Sequence, residues 1–146
     1  MSHVALVPLD VTLHASVTHA WVNDPEERRW SFDPRYVPWF DHVRYLRSLG
    51  PREAWVVVET DLTQPRGRRR LVGFVRVVLG ELSVTLDRRH RGRGVGRRAV
   101  RLGCYASGLA EVVAQVKPGN ERSRRAFLAA GFAQQVGGEY NWRRDG

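Results

Sequence analysis

The sequence predicts an α/β (α+β) fold, one sheet with helices on both of its faces. Three observations predict it. Helix-start signals and helical spacing dominate the first third, strand-like apolar runs follow from Ala54, and helix and strand signals then alternate. The resulting order is β, helices, β, β, β, α, β, α, β. The chain has 146 residues, 42% of them hydrophobic, which fits a single domain over 1–146 with its own core.

The first strand is expected at 3–9, stopped near Pro8, and helical pieces at 12–22 and 25–30. Asp24 can cap the second piece, Pro25 suits a first helical turn, and Glu26 and Glu27 complement the dipole. A further helix runs over 38–48 and ends at Gly50-Pro51. Buried-strand runs follow at 54–59 and 71–79, with Gly73 marking a bulge. Residues 63–70 read as the hairpin connection between them, its Arg run a solvated turn. Residues 81–86 alternate cleanly as a strand, entered by a turn at Gly80-Glu81. Val95, Ala99, Leu102, Gly103, Ala106, Leu109 and Ala110 share one helical face. A strand at 111–117, a helix at 120–130 stopped by Gly131, and a strand or hairpin at 132–143 complete the chain.

Composition narrows the function. The formal charge is +9, carried almost wholly by Arg; Lys117 is the single Lys. A GC-rich coding sequence and a polyanionic partner each explain it. The arginines do not form one helical stripe, and no helix-turn-helix or RNA-binding aromatic signature accompanies them, which argues against nucleic acid. The lone Cys104 cannot form an internal disulfide, and no Cys/His spacing suggests a metal. That cysteine usage fits a reducing cytoplasm. No apolar run approaches the roughly 20 residues of a membrane span, and residues 1–5 lack the pattern of a signal peptide.

The informative stretch is Leu86-Asp87-Arg88-Arg89-His90-Arg91-Gly92-Arg93-Gly94-Val95-Gly96-Arg97-Arg98-Ala99, a strand feeding a Gly-rich loop that opens a helix. Glycines let a ligand approach the backbone, and the first helical amides have no partner inside the helix. Together with the dipole they suit a diphosphate, and Arg91, Arg93, Arg97 and Arg98 could add charge-assisted bonds. The spacing matches neither the dinucleotide G-x-G-x-x-G nor the P-loop ending G-K-[ST]. It does match R-x-x-G-x-G at Arg91, Gly94 and Gly96.

In this setting the pattern resembles the acetyl-CoA loop of GNAT-superfamily N-acetyltransferases. The segment Asn120-Glu121-Arg122-Ser123-Arg124-Arg125-Ala126-Phe127-Leu128-Ala129-Ala130-Gly131-Phe132 is similar to the family's N-x-x-S-x-x-x-[YF]-x-x-x-G-F. The N-terminal half, from Trp21 to Ser31 and from Trp39 to Leu46, is similar to acetyltransferases acting on UDP-4-amino sugars, the pseudaminic-acid pathway type. It departs where Val22 replaces an Arg and Tyr45 a Trp, and the pattern extends to ribosomal-protein and antibiotic acetyltransferases.

The resemblance implies a GNAT fold, a mixed and mostly antiparallel sheet whose central strands splay, with acetyl-CoA as co-substrate. It implies that pantetheine pairs with the strand ending at Leu86, near Val84, Thr85 and Leu86, where a backbone amide meets the oxyanion. The phosphates then fall to Arg91, Gly92, Arg93, Gly94, Val95, Gly96 and Arg97, with Asn120, Ser123, Arg124 and Phe127 beside the coenzyme. Phe127 stands where many relatives carry a general-acid Tyr, and it cannot donate a proton.

A free alkylamine has a pKa near 10.4, so a base helps it attack. Glu81, on one strand face with Ser83 and Thr85, is one candidate and also reads as a solvated hairpin residue; His42 is the other and equally reads as a substrate contact or a local helix cap. Tyr140 and Glu139 are candidates to line the amine site, and His90 an anion contact or exposed. Trp21, Trp30, Trp39 and Tyr36 either pack or stack on a base or sugar, with Arg28 and Arg29 meeting a nucleotide diphosphate. The expected reaction is acetyl transfer to a primary amine of a small molecule, nucleotide-linked amino sugars among them. Protein N-terminal or lysine acetylation, and acyl-CoA binding without catalysis, are the alternatives. The expected enzyme is cytoplasmic, a monomer or homodimer, with no metal and no membrane partner.

Overall fold

A computed structural model describes residues 2–145. Seven strands form one sheet in the order β1-β2-β3-β4-β5-β7-β6. They are β1 (Ser2–Pro8), β2 (Ala54–Asp61), β3 (Arg68–Val78), β4 (Glu81–Leu86), β5 (Glu111–Gln115), β6 (Ala133–Gln134) and β7 (Glu139–Arg143). Five α-helices flank it: α1 (Val11–Val22), α2 (Pro25–Trp30), α3 (Trp39–Ser48), α4 (Val95–Ala106) and α5 (Glu121–Ala129). Every pairing is antiparallel except that of β4 with β5.

The alternation along β3 and β4 sorts two cores. Val75, Val77 and Leu82 join Val95, Ala99, Val100 and Cys104 on the α4 face. Phe74, with Val56 and Ala54 of β2, joins Trp21, Val22 and Leu46 on the α1 and α3 face. Burial of these apolar groups is the main force holding the helices to the sheet. Among the described residues no helix is long and apolar enough to cross a membrane.

Gly73 marks the bulge expected of it. Val57 faces Gly73 while Val58 faces Leu71, so Val72 is the extra residue. A Cβ on Gly73 would lie 2.7 Å from Leu86 Cδ2 and 3.0 Å from Thr85 O, so only glycine lets β3 and β4 meet here.

Three boundaries differ from the sequence reading. The arginines at 68–70 belong to β3, not to the hairpin loop, because they pair with Asp61, Thr60 and Glu59. The turn before β4 is Leu79-Gly80, one residue earlier than expected, with φ of 52° and 79°. The helix after the Gly-rich loop stops at Ala106 rather than running to Ala110. Gly108 there adopts φ 74°, and Arg144 binds the carbonyls of Tyr105 and Leu109. Tertiary contacts thus satisfy carbonyls that a longer helix would have used.

One break in the sheet positions the site. β4 and β5 pair only at Glu81 and Val113, where the Val113 amide donates to Gly80 O at 2.8 Å. Beyond that point the two strands part.

Candidate active site

The parting leaves backbone groups on an open edge. The Asp87 amide donates to Val72 O of β3 at 2.8 Å, while Gly80 O faces β5. Backbone groups alternate in direction along a strand, so Val84 and Leu86 turn their amides and carbonyls toward β5. No β5 residue pairs with them. Arg91 Nη2 donates to the Leu86 carbonyl at 3.2 Å.

Two adjoining clefts, of about 380 and 240 Å3, meet at this gap, and Glu27, Trp30, Val84, Asn120 and Ser123 line both. The larger runs over the start of α4. Gly94 is the N-cap of α4, at φ 76°, and gives it no side-chain cap bond. The first amides of the helix therefore remain open to a ligand. A Cβ on Gly92 would meet nothing within 4 Å, so the backbone is bare toward the cleft. Leu86, Arg91, Gly92, Gly94, Gly96 and Arg97 line it from the loop side, and Arg122 and Arg125 from α5. These features fit a diphosphate: uncapped helical amides, bare backbone and several cations.

Most of the loop's arginines are already engaged. Arg88 pairs with Asp24 at 2.9 Å, Arg89 with Asp87 at 3.0 Å, Arg91 with Glu27 at 2.9 Å and Arg93 with Glu59 at 2.9 Å. These pairs tie the loop to α2 on one side and β2 on the other. The Arg89 fork, more than the bond from the Trp21 indole at 3.1 Å, holds the Asp87 carboxyl well below the usual carboxylate range. Among the described residues, Arg97, Arg122 and Arg125 pair with no carboxylate.

The smaller cleft opens on the α1 and α3 face. Ser83, Thr85, Arg76 and Glu81 line it from the sheet, Lys117 and Phe127 from the β5 side, and Arg28 and Phe32 from the segment around α2. Asn120 caps α5, accepting from the Ser123 amide at 3.4 Å and donating to Ser123 Oγ at 3.2 Å. Capping and cleft lining thus coexist at one residue.

The sequence-predicted residues divide. Val84, Leu86, Arg91, Gly92, Gly94, Gly96, Arg97, Asn120 and Ser123 line the larger cleft; Thr85, Phe127 and Glu81 line the smaller. Val95 does not reach the clefts; it is 1% exposed and packs in the core. Arg93 turns to Glu59, and Arg124 turns along α5 to Glu121. His42 lines neither cleft and is 2% exposed. Thr18 spends its hydroxyl proton on His14 O at 2.8 Å, so it accepts from His42 Nε2 at 2.8 Å. Burial, then His19 and Arg76, push the His42 pKa down to about 4. This is a satisfied core histidine rather than a base facing the gap.

Other expectations fall the same way. His90 is buried and bonds Arg93 at 2.9 Å through Nδ1. Tyr140 is buried against Phe127, and Glu139 lies outside both clefts. Arg28 bonds the carbonyls of Val22, Asp33 and Arg35 and the Ser31 hydroxyl, which leaves its fork no room for a diphosphate. Of the N-terminal aromatics, Trp30 alone reaches the larger cleft; Trp21 is core. Glu26, Glu27, Arg76, Lys117, Arg122 and Arg125 were not anticipated as cleft residues. Arg122 and Arg125 stand three apart on α5, a spacing that puts both on one side of the helix.

Comparison with known proteins agrees with this geometry. A family model described as acetyltransferase (GNAT) domain matches residues 3–133. The chain belongs to the GNAT acetyltransferase family. A search of curated proteins gives no match. Among solved structures, a domain from Methanocaldococcus jannaschii DSM 2661 is similar at TM-score 0.79 and 19% identity, covering 97% of each chain. Salmonella typhimurium yncA, solved with its cofactor acetyl-CoA, has TM-score 0.69 and 17% identity over 99% of this chain and 95% of its own. AAC(6')-Ib, in complex with paromomycin and acetyl-CoA, has TM-score 0.70 and 16% identity over 97% and 94%. At these identities the neighbours share the GNAT fold with this chain.

Proposed function

We propose that the protein transfers the acetyl group of acetyl-CoA to a primary amine by direct attack of the amine. The observation that carries this reading is the gap between β4 and β5, whose open β4 edge leads straight into the uncapped start of α4. Acetyl-CoA supplies an activated thioester carbonyl. The larger cleft would hold its diphosphate with the α4 amides, Arg97, Arg122 and Arg125. The open edge at Val84 and Leu86 would take the pantetheine and offer an amide to the developing oxyanion. The amine would enter through the smaller cleft, where Glu81 takes its proton directly or through water. Phe127 leaves the departing thiolate without a tyrosine donor; a thiol of pKa near 8.5 tolerates that.

The acceptor is a small amine on this reading. The similarity of the N-terminal half to amino-sugar acetyltransferases brings a UDP-4-amino sugar into the panel to be tested, although Arg28 is engaged internally. The aminoglycoside in the AAC(6')-Ib complex and a peptide N-terminus complete it. A cytoplasmic setting goes with the lone Cys104, free and buried.

Two measurements test this. Isothermal titration should show CoA binding that Gly94→Val abolishes, since a side chain at φ 76° is strained and projects toward the cleft. Unchanged affinity would remove the loop from the site. Thiol release from acetyl-CoA should occur with at least one amine of the panel. CoA binding with no release from any of them would mark a binding domain instead of an enzyme.

A further inference from the structure

The smaller cleft holds a guanidinium that no carboxylate among the described residues pairs with. Arg76 stands on β3 opposite Ser83, on the face of the sheet that meets α1 and α3. Its guanidinium lies 4.6 Å over the Phe74 ring and donates from Nη2 to Thr85 Oγ1 at 3.0 Å. Thr85 is the diagonal neighbour toward the parted end of β4, and Glu81 is the diagonal neighbour the other way. Arg76 therefore leans away from the carboxylate on its partner strand. Its Nε is buried with no hydrogen-bond partner. Among the described residues no carboxylate pairs with it. Glu27, on the same cleft, is taken by Arg91.

A second cation lines the same cleft. The Lys117 ammonium sits 5.6 Å from the Phe32 ring and, among the described residues, has no carboxylate partner either. Arg28, also on this cleft, is a further cation, its donors spent on carbonyls and a hydroxyl. A half-buried guanidinium without a counter-ion is costly to keep. Its fork beside a threonine hydroxyl suits a carboxylate or phosphate, which accepts several such bonds at once. A polycationic acceptor would meet like charge in the same place.

We propose that this cleft selects an acceptor amine that also bears an anionic group, a carboxylate or a phosphate, held by Arg76 with Lys117. The proposal rests on the acetyl-transfer reading and narrows its substrate class. Glu81, at the closed end of the cleft, is left for the ammonium side of such a molecule.

Matched amines that differ in the anion test it: L-phenylalanine against L-phenylalaninamide, and O-phosphoethanolamine against ethanolamine. Each is titrated calorimetrically into the full chain with CoA present, and each is assayed for thiol release from acetyl-CoA. The anionic member of at least one pair should be preferred about tenfold or more, and the pair that shows it distinguishes carboxylate from phosphate. Arg76→Gln should weaken that member about 10- to 100-fold, through KM in the assay, and Arg76→Lys should restore part of it. If Arg76→Gln does not fold, Lys117→Gln, outside the strands, should erode the same ratio. Equal binding and turnover of neutral and anionic partners, or a ratio indifferent to these substitutions, would overturn the proposal and leave acetyl transfer standing. Anion-selective binding with no thiol release would overturn acetyl transfer alone. Failure of every anionic member to bind would overturn the proposal.

Discussion

Glu27 Oε1 lies 2.9 Å from Arg91 Nη2 across 64 residues of sequence, with both side chains mostly buried. Burial raises the Glu27 pKa in spite of Arg91. The pair clamps α2 onto the Gly-rich loop at the point where the two clefts meet. Glu27→Ala leaves the Arg91 guanidinium with only the Leu86 carbonyl, so it should destabilise the free protein by about 1–3 kcal/mol in urea unfolding. A bound phosphate can replace the lost carboxylate. CoA should therefore raise the melting temperature of this variant more than that of the unsubstituted protein. Equal gains would show that Arg91 does not serve the coenzyme.

His42 makes stability depend on pH. Its folded pKa of about 4 lies below the ordinary 6.5, so the unfolded chain binds a proton that the folded one refuses in that window. The stability that His42 contributes is therefore full above pH 6.5 and falls as pH drops toward about 4. The loss amounts to roughly 3 kcal/mol at the acid end. Denaturant titrations at pH 7 and 4.5 should show the drop, and His42→Gln should lessen it, leaving the part that His90, also lowered by burial, contributes.

Leu79 occupies φ 52° in the turn before β4 and is 98% exposed. A turn with both central residues at positive φ is the I′ type, which favours Asn-Gly. A leucine there costs roughly 1–2 kcal/mol and buries nothing in return. Leu79→Asn should stabilise the fold by about 1 kcal/mol without altering CoA affinity. Thermal unfolding reads the first and calorimetry the second.

Phe127 is 4% exposed, packs edge-on against Phe132 at 5.1 Å and lines the smaller cleft. Phe127→Tyr would place a phenol in the position where the resemblance implies a general acid for the thiolate. The leaving group is already good, so the gain in kcat should stay within about tenfold. A larger gain would make protonation rate-limiting, and a loss of activity would mean that the hydroxyl has no room. Stopped assays of thiol release across pH separate these outcomes.

Much of this was readable in the chain because the signals are local. The alternation at 81–86, the Asp24-Pro25-Glu26-Glu27 helix start and the Gly131 helix stop each rest on a few neighbouring residues, and each recurs in the structure. Gly92, Gly94 and Gly96 announced the loop for the same reason. The arginines of that loop were harder to read. Charge in sequence suggested a free anion patch, yet Asp24, Glu27 and Glu59 reach over from distant segments to occupy Arg88, Arg91 and Arg93. His42 likewise looked like a base until Thr18 closed on it.

Residue order alone determined which segments became strands and helices and where bare backbone meets a helix start, because periodicity, glycines and caps act within a few residues. Tertiary packing decided which cations stay unpaired and which titratable groups face solvent. Pairing energy and desolvation depend on what lies within a few ångströms, and the partners of Arg91, Arg93 and His42 come from elsewhere in the chain.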